Sequence, residues 1–476
     1  MPHTPMFPAW RARFANVGRR VRTLRPQSLL QLDRLLDPFL PAGLLSQADE
    51  GPNSRERVYP VRRTFFGFLS QVLNPECSCR EIVRQILAWG ALHTPEAAAS
   101  PGTSAYCQAR LRLPWDMLPR LRCALAARAD RRSEGWRGFR VKVVDGTGVS
   151  LPDTGKNQRA YPQPGGQQPG CGFPFLKLVG VFSLTTGALL DYAKGNKHQH
   201  ELGLLQRLLD TFKAGDLILA DRGFSTWALL ALLWQRQVMG LFRLHQARPG
   251  DFRKGRRLGK DDRLLVWRKP DRWAKPRFIP RGLWQRLPQT LTVRMVRFTL
   301  TVPGYRTHSV TLITTLLDPK LYPAAELAEL YARRWRIELW FRDIKTSMGM
   351  ETLRCLSPKM VHKELEMFFI AYNFIRCLMA EAAQTYDAEI QRLSFKGTVD
   401  SLRQFSIAIA QARSRRKKNQ LLARLLELMA KDKVPERPGR REPRAVKRRP
   451  KPYQKLNRPR HQMKEMQHRS KYRKKS

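Results

Sequence analysis

The order of strand-like and helix-like runs between residues 140 and 244 constrains the fold of this chain most strongly. Residues 141–144 form a short β-branched run, and two further strand-like runs flank a turn at 185–187 as a hairpin. An amphipathic helix, a buried strand at 217–220, a second helix and a last strand follow. Ser225 is the predicted N-cap of the second helix. The order strand, hairpin, helix, strand, helix, strand predicts an α/β domain.

Two aspartates follow strands of this pattern. Asp145 comes directly after the strand predicted at 141–144, and Asp221 comes directly after the strand predicted at 217–220. If these strands are neighbours, the two carboxylates lie within reach of one divalent ion. An aspartate after a strand is also a common turn former or helix cap, so neither residue alone indicates a site.

A third acid lies much later, in the segment 331–345, for which we predict a helix. At about 100° per residue, one sector roughly 60° wide holds four polar side chains: Tyr331, Arg334, Glu338 and Lys345, with Arg342 just beside them. The apolar side chains fall on another side of the helix: Ile337, Trp340, Phe341 and Ile344. One carboxylate among cations and a phenol suggests a metal ligand flanked by phosphate contacts. A solvated face with ion pairs is the alternative.

Asp145, Asp221 and Glu338 together predict phosphoryl transfer on nucleic acid. Three carboxylates without a histidine or thiol favour a hard cation, Mg²⁺ or Mn²⁺, over Zn²⁺. Two such ions about 3.5 to 4 Å apart would hold a phosphodiester in line, with one activating the attacking hydroxyl and the other stabilising the departing oxygen.

The charge of the chain predicts a polyanionic partner. It has 88 Lys and Arg against 39 Asp and Glu, a net charge of +49, and each phosphate that is neutralised releases condensed counterions. Nucleic acid is the first candidate and an acidic membrane surface the second.

No apolar run is long enough to span a membrane and the first 25 residues lack a signal-peptide core, so we expect a cytoplasmic, nucleoid-associated protein without a membrane partner. The seven scattered cysteines predict ordinary reduced thiols.

Composition divides the chain into four regions. Residues 1–138 are predicted to be helical and basic, with a helix-turn-helix-like module that binds DNA ends or a bundle without DNA contacts. Residues 139–355 hold the α/β pattern, interrupted by a β-rich insertion at about 245–317. Helices return over 356–430 and could pack on the core or pair two protomers. The tail, 431–476, has 19 basic and 4 acidic residues by count, which predicts a disordered segment that binds DNA or merely solubilises the chain.

Three motifs carry a resemblance to a known family: Asp145-Gly146-Thr147, Asp221-Arg222-Gly223-Phe224 and the Tyr-x2-Arg-x3-Glu-x6-Lys spacing of 331–345. They resemble the bacterial insertion-sequence transposases with the DDE triad and the YREK signature, the group often called insertion-sequence family four. The resemblance implies a ribonuclease-H-like, retroviral-integrase-like catalytic core with a β-rich insertion, preceded and followed by helical segments. It also implies that Asp145, Asp221 and Glu338 ligate metal, and that Tyr331, Arg334 and Lys345 contact the transposon-end backbone.

The function implied by the resemblance is that of a DNA transposase. Such an enzyme binds terminal inverted repeats, cleaves double-stranded DNA and transfers the 3′-hydroxyl ends to target DNA, with a homodimer expected on the paired ends. In relatives the transferred strand is released through a terminal hairpin. One alternative is a nuclease of the same fold that hydrolyses DNA without strand transfer. Another is a nonenzymatic DNA-binding repressor derived from a transposase.

The sequence does not decide the roles of two groups of residues. His198, His200 and Glu201 resemble a ligand cluster, but Glu201 could equally serve the electrostatics of the next helix. Relatives often have an acid shortly before this helix, which would place Glu201 near the site. The insertion also has aromatic residues that could stack on a flipped base or be buried: Trp267, Trp273 and Trp284.

Overall fold

The computed structural model describes most of the chain between residues 58 and 435. The described residues are 36, 39–40, 45, 58–75, 77–93, 100–131, 135–165, 172–248, 250–271, 276, 279–299 and 309–435. They form two compact units. The helical unit comprises the described residues up to 128 with 347–349 and 362–434, and the sheet unit comprises 129–346, 350–361 and residue 435. Both helical regions expected from the sequence contribute to the helical unit.

Within the described residues, nine strands form one sheet. The strands are β1 (Arg140–Ser150), β2 (Phe175–Ser183), β3 (Leu189–Gly195), β4 (Asp216–Ala220), β5 (Met239–Arg243), β6 (Arg256–Gly259), β7 (Asp262–Arg268), β8 (Thr290–Thr299) and β9 (Ser309–Thr314). Their order is β3-β2-β1-β4-β5-β9-β8-β7-β6. The described helices are α1 (Val61–Leu73), α2 (Cys79–His93), α3 (Ser104–Arg112), α4 (Met117–Asp130), α5 (Gly155–Ala160), α6 (Glu201–Gln206), α7 (Trp227–Gln235), α8 (Arg281–Arg286), α9 (Ala324–Ala332), α10 (Arg336–Arg342), α11 (Pro358–Thr385), α12 (Phe395–Gln411) and α13 (Arg415–Lys431).

Strands β3, β2 and β1 form an antiparallel meander. β4 then pairs in parallel with β1, and β5 pairs in parallel with β4. This arrangement is the ribonuclease-H-like core, so the predicted fold class is confirmed. β4, which has a parallel neighbour on each side, is buried at every residue. The predicted hairpin turn at 185–187 joins β2 to β3.

The strands of the predicted β-rich insertion extend the same sheet. β9 pairs antiparallel with β5, with Phe242 opposite Ile313, and β8, β7 and β6 follow outward. Trp284 is buried in the core cluster of the sheet unit, where its ring lies 5.5 Å from that of Trp227. Trp267 is half-buried beneath the Arg248 guanidinium, 4.2 Å from its ring centroid. Trp273 and the tail beyond residue 435 lie outside the described residues.

Helix α7 is buried along most of its length because residues 227–233 are all apolar. Its N-cap is Thr226, whose Oγ1 accepts a hydrogen bond from the Leu229 amide at 3.2 Å. The prediction of Ser225 as the cap was wrong. The Ser225 Oγ is buried and has no hydrogen-bond partner among the described residues.

Buried polar contacts connect the long helix α11 to α3 and α4 within the helical unit. Lys363 is fully buried, and its Nζ donates hydrogen bonds to the carbonyl oxygens of Leu111 at 2.7 Å and Leu113 at 2.6 Å. Arg122 pairs with Glu366 at 3.1 Å, and both side chains are buried. These partners offset the cost of removing the charges from water. None of the described helices is long and apolar enough to cross a membrane.

Candidate active site

The pairing of β1 with β4 brings the first two acids to adjacent positions. The strands are parallel neighbours, and Val144 lies opposite Ala220, so Asp145 and Asp221 are the next residues along each strand. β4 ends at Ala220, as predicted. β1 instead continues to Ser150 because β2 pairs with it over this length, so the prediction that the first strand ends before Asp145 was wrong.

The segment 331–345 follows a helical path but is not one uniform α-helix. A 3-10 turn at Arg333–Trp335 separates α9 from α10, and a π-helical turn spans Asp343–Ser347. A rotation of 100° per residue therefore does not hold over the whole segment. The predicted apolar stripe is confirmed, because all four of its residues are buried: Ile337, Trp340, Phe341 and Ile344.

Aromatic packing fixes α10 against the sheet. The Phe182 ring on β2 stacks on Trp340 with centroids 5.5 Å apart and meets Phe341 edge-on at 5.1 Å. Such pairs contribute about 0.5 to 1.5 kcal/mol beyond the burial of their area. Because this face of α10 is held by β2, Glu338 lies on the open side of the helix with its side chain 45% exposed.

Arg334 connects the first and third acids. Its Nη1 lies 3.4 Å from Asp145 Oδ2, and its Nη2 lies 3.7 Å from Glu338 Oε1. The arginine is only 6% exposed, and its buried Nε has no hydrogen-bond partner among the described residues. The structure thus brings Glu338 and Asp145 to one guanidinium, although 338 − 145 = 193 positions separate them.

Tyr331 lies at the end of β4. It is buried, and its hydroxyl donates a 3.4 Å hydrogen bond to the carbonyl oxygen of Ala220, the residue before Asp221. Burial raises the pKa of Tyr331 to about 12, against the lowering effect of the Arg334 guanidinium. The phenol therefore stays neutral at physiological pH. Arg342 is exposed and Lys345 is half-buried, so both of these cations are accessible from solvent.

Glu201 is a fourth carboxylate at the site and was not among the predicted site residues. It is the first residue of α6, and a Cβ built on Gly146 would overlap its carboxylate. Glu201 therefore packs directly against the residue that follows Asp145. The sequence signal was its position just before the helix that was predicted to follow the hairpin. His198 is exposed, and no contact in the described residues joins it to the acids.

Burial and mutual repulsion perturb these carboxyl groups. Burial raises the pKa of Asp145, the Asp221 charge adds to the rise, and the Gly146 amide and Arg334 oppose it. The pKa of Glu338 and that of Glu201 are raised by burial and by the charges of Asp145 and Asp221. Like charges that repel one another favour a bound cation.

The donor atoms fit a hard divalent cation, since every acidic group at the site is a carboxylate. No trio of His, Cys, Asp or Glu side chains in the described part of the chain is already arranged to hold a metal ion. The Arg334 guanidinium, which lies against Asp145 and Glu338, is the cation that balances the two carboxylates in this structure.

Comparison with known sequences decides the family. The family model described as "Transposase DDE domain" matches residues 136–374, half of the chain. The chain belongs to the DDE transposase family. It is also 27% identical over 433 residues to "Transposase InsG for insertion sequence element IS4" of Escherichia coli (strain K12), covering 89% of this chain and 92% of that protein. The predicted insertion-sequence-four group is thereby confirmed.

Among solved structures, the chain is similar to the "Cryo-EM structure of piggyBac transposase synaptic complex with hairpin DNA". The TM-score is 0.40 and the sequence identity 9%, over 87% of this chain and 86% of that chain.

The transposase is an enzyme of DNA cleavage and strand transfer, as predicted. It binds DNA, and DDE transposases use divalent metal ions. The strongly basic composition agrees with this substrate, since a net charge of +49 favours binding to phosphate-rich partners.

Proposed function

We propose that Asp145, Asp221 and Glu338 are the catalytic, metal-ligating residues of this transposase. The observation that carries this proposal is the placement of Asp145: it adjoins Asp221 through the β1–β4 register and shares the Arg334 guanidinium with Glu338. Oxygen-only ligands favour Mg²⁺, with Mn²⁺ able to substitute. Glu201 adds a fourth oxygen donor beside Asp145.

The residues of the site have different roles in phosphoryl transfer. Divalent ions, when bound, supply Lewis-acid activation of the attacking and departing oxygens. Asp145, Asp221 and Glu338 would hold those ions. Tyr331 holds the end of β4 by its hydrogen bond to Ala220, which keeps Asp221 beside Asp145. Water attack on the phosphodiester gives cleavage, and attack by a 3′-hydroxyl gives strand transfer.

We propose that the cations of the 331–345 segment hold the transposon-end backbone. Arg342 and Lys345 are accessible, and each phosphate contact of such a cation adds about 0.9 to the slope of log K against log salt. We propose that Tyr331 and Arg334, which are both buried, contact the same part of the transposon-end backbone. Besides the N–H groups that face Asp145 and Glu338, the Arg334 guanidinium has a further N–H that can bind a phosphate oxygen. Removing the charge of Arg342 or of Lys345 should weaken the dependence of end binding on salt concentration. Removing the charge of the exposed Arg333, which pairs with Glu329, should leave that dependence unchanged.

The complete reaction that we propose is cut-and-paste transposition in the bacterial cytoplasm, on nucleoid DNA. The basic N-terminal helices bind the terminal inverted repeats, two protomers pair the ends, and the 3′-hydroxyl ends join target DNA. The supporting feature is the excess of positive charge in every region of the chain.

Purified protein, Mg²⁺ and labelled DNA test this function. We expect cleavage and joining of DNA that carries the element's ends, and little reaction on random DNA of equal length. Asp145→Asn, Asp221→Asn and Glu338→Gln should each lower the rate by about 10³-fold or more. Glu329→Gln, an exposed acid on α9, is the matched control and should retain activity. Equal cleavage of random DNA without joining would support the nuclease alternative, and end binding without cleavage would support the repressor alternative.

A further inference from the structure

A pair of cysteines in the helical unit lies in a polar setting. Cys79 is the first residue of α2, and Cys107 lies within α3. The Cys107 thiol is close enough to Cys79 to lower the pKa of that thiol by hydrogen bonding. We call Cys79, Cys107, Arg110 and Gln71 the thiol cluster.

Two nitrogen donors point at the Cys79 sulfur. Arg110 Nη1 donates a hydrogen bond to Cys79 Sγ at 3.0 Å, and Gln71 Nε2 donates one at 3.4 Å. The Arg110 guanidinium is held in place over the Phe68 ring, 3.9 Å from its centroid, and is almost completely buried. A fixed positive charge at this distance stabilises a thiolate, and the N-terminus of a helix adds to the effect.

The thiol chemistry follows from these neighbours. The hydrogen bond from Cys107, together with Arg110 and Gln71, lowers the pKa of Cys79 to about 5, although burial opposes the change. These neighbours favour the thiolate form of Cys79 at neutral pH. A metal-ion role is disfavoured, because Arg110 already places a positive charge 3.0 Å from the sulfur.

Packing keeps the two sulfurs together. Helices α2 and α3 share one apolar cluster, in which Ile82 and Val83 of α2 meet Tyr106 and Ala109 of α3. Cys107 is exposed and Cys79 is half-buried, so a small oxidant can reach both. Two preorganised thiols, one ionised and one accessible, form the arrangement of a reactive cysteine with a resolving partner.

We propose that Cys79 is a peroxide-reactive thiolate that forms a disulfide with Cys107. The Cys79 sulfur attacks one oxygen of hydrogen peroxide, the O–O bond breaks, and a sulfenic acid forms while hydroxide leaves. The Cys107 sulfur then attacks the Cys79 sulfur, and the sulfenic hydroxyl leaves with the Cys107 proton as water. The two sulfurs together lose two electrons, and the peroxide takes them up.

The test uses the full-length reduced protein with all seven cysteines in place. Each thiol is alkylated with iodoacetamide over a pH series and quantified by peptide mass spectrometry. We expect Cys79 to reach its full alkylation rate at weakly acidic pH, where Cys123, an exposed thiol on α4, still reacts slowly. A Cys79 profile that coincides with that of Cys123 would overturn the proposal without any variant.

Oxidation supplies the second readout. Stoichiometric hydrogen peroxide followed by non-reducing peptide mapping should yield the Cys79–Cys107 disulfide. Cys107→Ser should leave a Cys79 sulfenic acid that dimedone traps, and Cys123→Ser should behave as wild type. Arg110→Lys should move the Cys79 alkylation profile to higher pH. A Cys77–Cys79 bridge, an intermolecular bridge, or oxidation of Cys79 past sulfenic acid with Cys107 still reduced would each contradict the assignment.

Discussion

The Glu201 carboxylate lies in the space that a side chain at position 146 would need. A Cβ on Gly146 would overlap the Glu201 Oε1 and would stand 3.2 Å from its Cγ. Glycine at this position therefore brings a fourth acid to the side of Asp145 in β1. The relationship explains a glycine in the middle of a strand, where its lack of a side chain ordinarily weakens the sheet.

Gly146→Ala should displace Glu201 while leaving the fold intact, because the overlapping atoms are the tip of a flexible side chain. We expect strand cleavage to fall by about 10- to 100-fold, the range for groups that support metal ligands. Gly155→Ala is the control, since a Cβ there meets nothing within 4 Å. Both variants are compared by cleavage rate and thermal unfolding, and equal cleavage rates would refute a role for Glu201.

Arg334→Met should destabilise the sheet unit, because Asp145 and Glu338 would lose the cation that lies against both. The expected loss is about 1–3 kcal/mol in the free energy of unfolding, the cost of leaving a buried polar group unpaired. Arg333→Met removes a neighbouring exposed ion pair and should cost about 0.5 kcal/mol or less. Urea denaturation of both variants measures the difference, and similar losses would show that Arg334 has no special role.

The stability of the metal-free protein should depend on pH through the half-buried Asp145. The pKa of Asp145 is raised in the fold, mainly by burial, so its stabilising contribution is present below the pKa of the unfolded chain. That contribution is lost as pH rises through the raised pKa of the folded state. Asp145→Asn removes the ionisation, so the variant should gain stability relative to wild type over this pH range. Parallel denaturation curves at each pH measure the gain, and a pH-independent difference would be inconsistent with the raised pKa.

Thr226→Ala should cost about 1 kcal/mol, because the Thr226 hydroxyl caps α7. Ser225→Ala should be nearly neutral, since its buried Oγ has no hydrogen-bond partner among the described residues. Each substitution removes a side-chain hydroxyl from one of two adjacent residues, and Thr226→Ala also removes a methyl group. Thermal unfolding of the pair therefore separates the cap found in the structure from the cap predicted by sequence, and the opposite ranking would favour Ser225.

Local sequence signals predicted much of the core. The run 217–220 is wholly apolar and lies in the buried strand β4. The predicted apolar stripe of 331–345 is buried, and its residues Trp340 and Phe341 pack on Phe182. Asp221 follows the end of β4, and Glu338 lies at a fixed spacing within 331–345, so a sequence pattern could identify both residues. These features depend on neighbours in sequence, which a pattern can detect.

Long-range packing determined the features that the sequence did not reveal. Asp145-Gly146-Thr147-Gly148 has the composition of a turn, yet it continues β1 because β2 pairs along it and the Phe175 ring covers Gly148. The 3-10 and π turns around α10 adjust a helix to its contacts and have no signature of their own. Cys79 and Cys107 became partners only through the packing of α2 on α3.

Iron-mediated backbone cleavage tests the central claim most directly, that Asp145, Asp221 and Glu338 hold one metal centre. Fe²⁺ replaces Mg²⁺, ascorbate and peroxide generate hydroxyl radicals at the bound ion, and the cut positions are mapped by mass spectrometry. We predict cuts clustered at the three acids, suppressed by excess Mg²⁺ and lost in Asp145→Asn. Cuts centred on His198 and His200, or cuts at the three acids that persist in Asp145→Asn, would contradict the account.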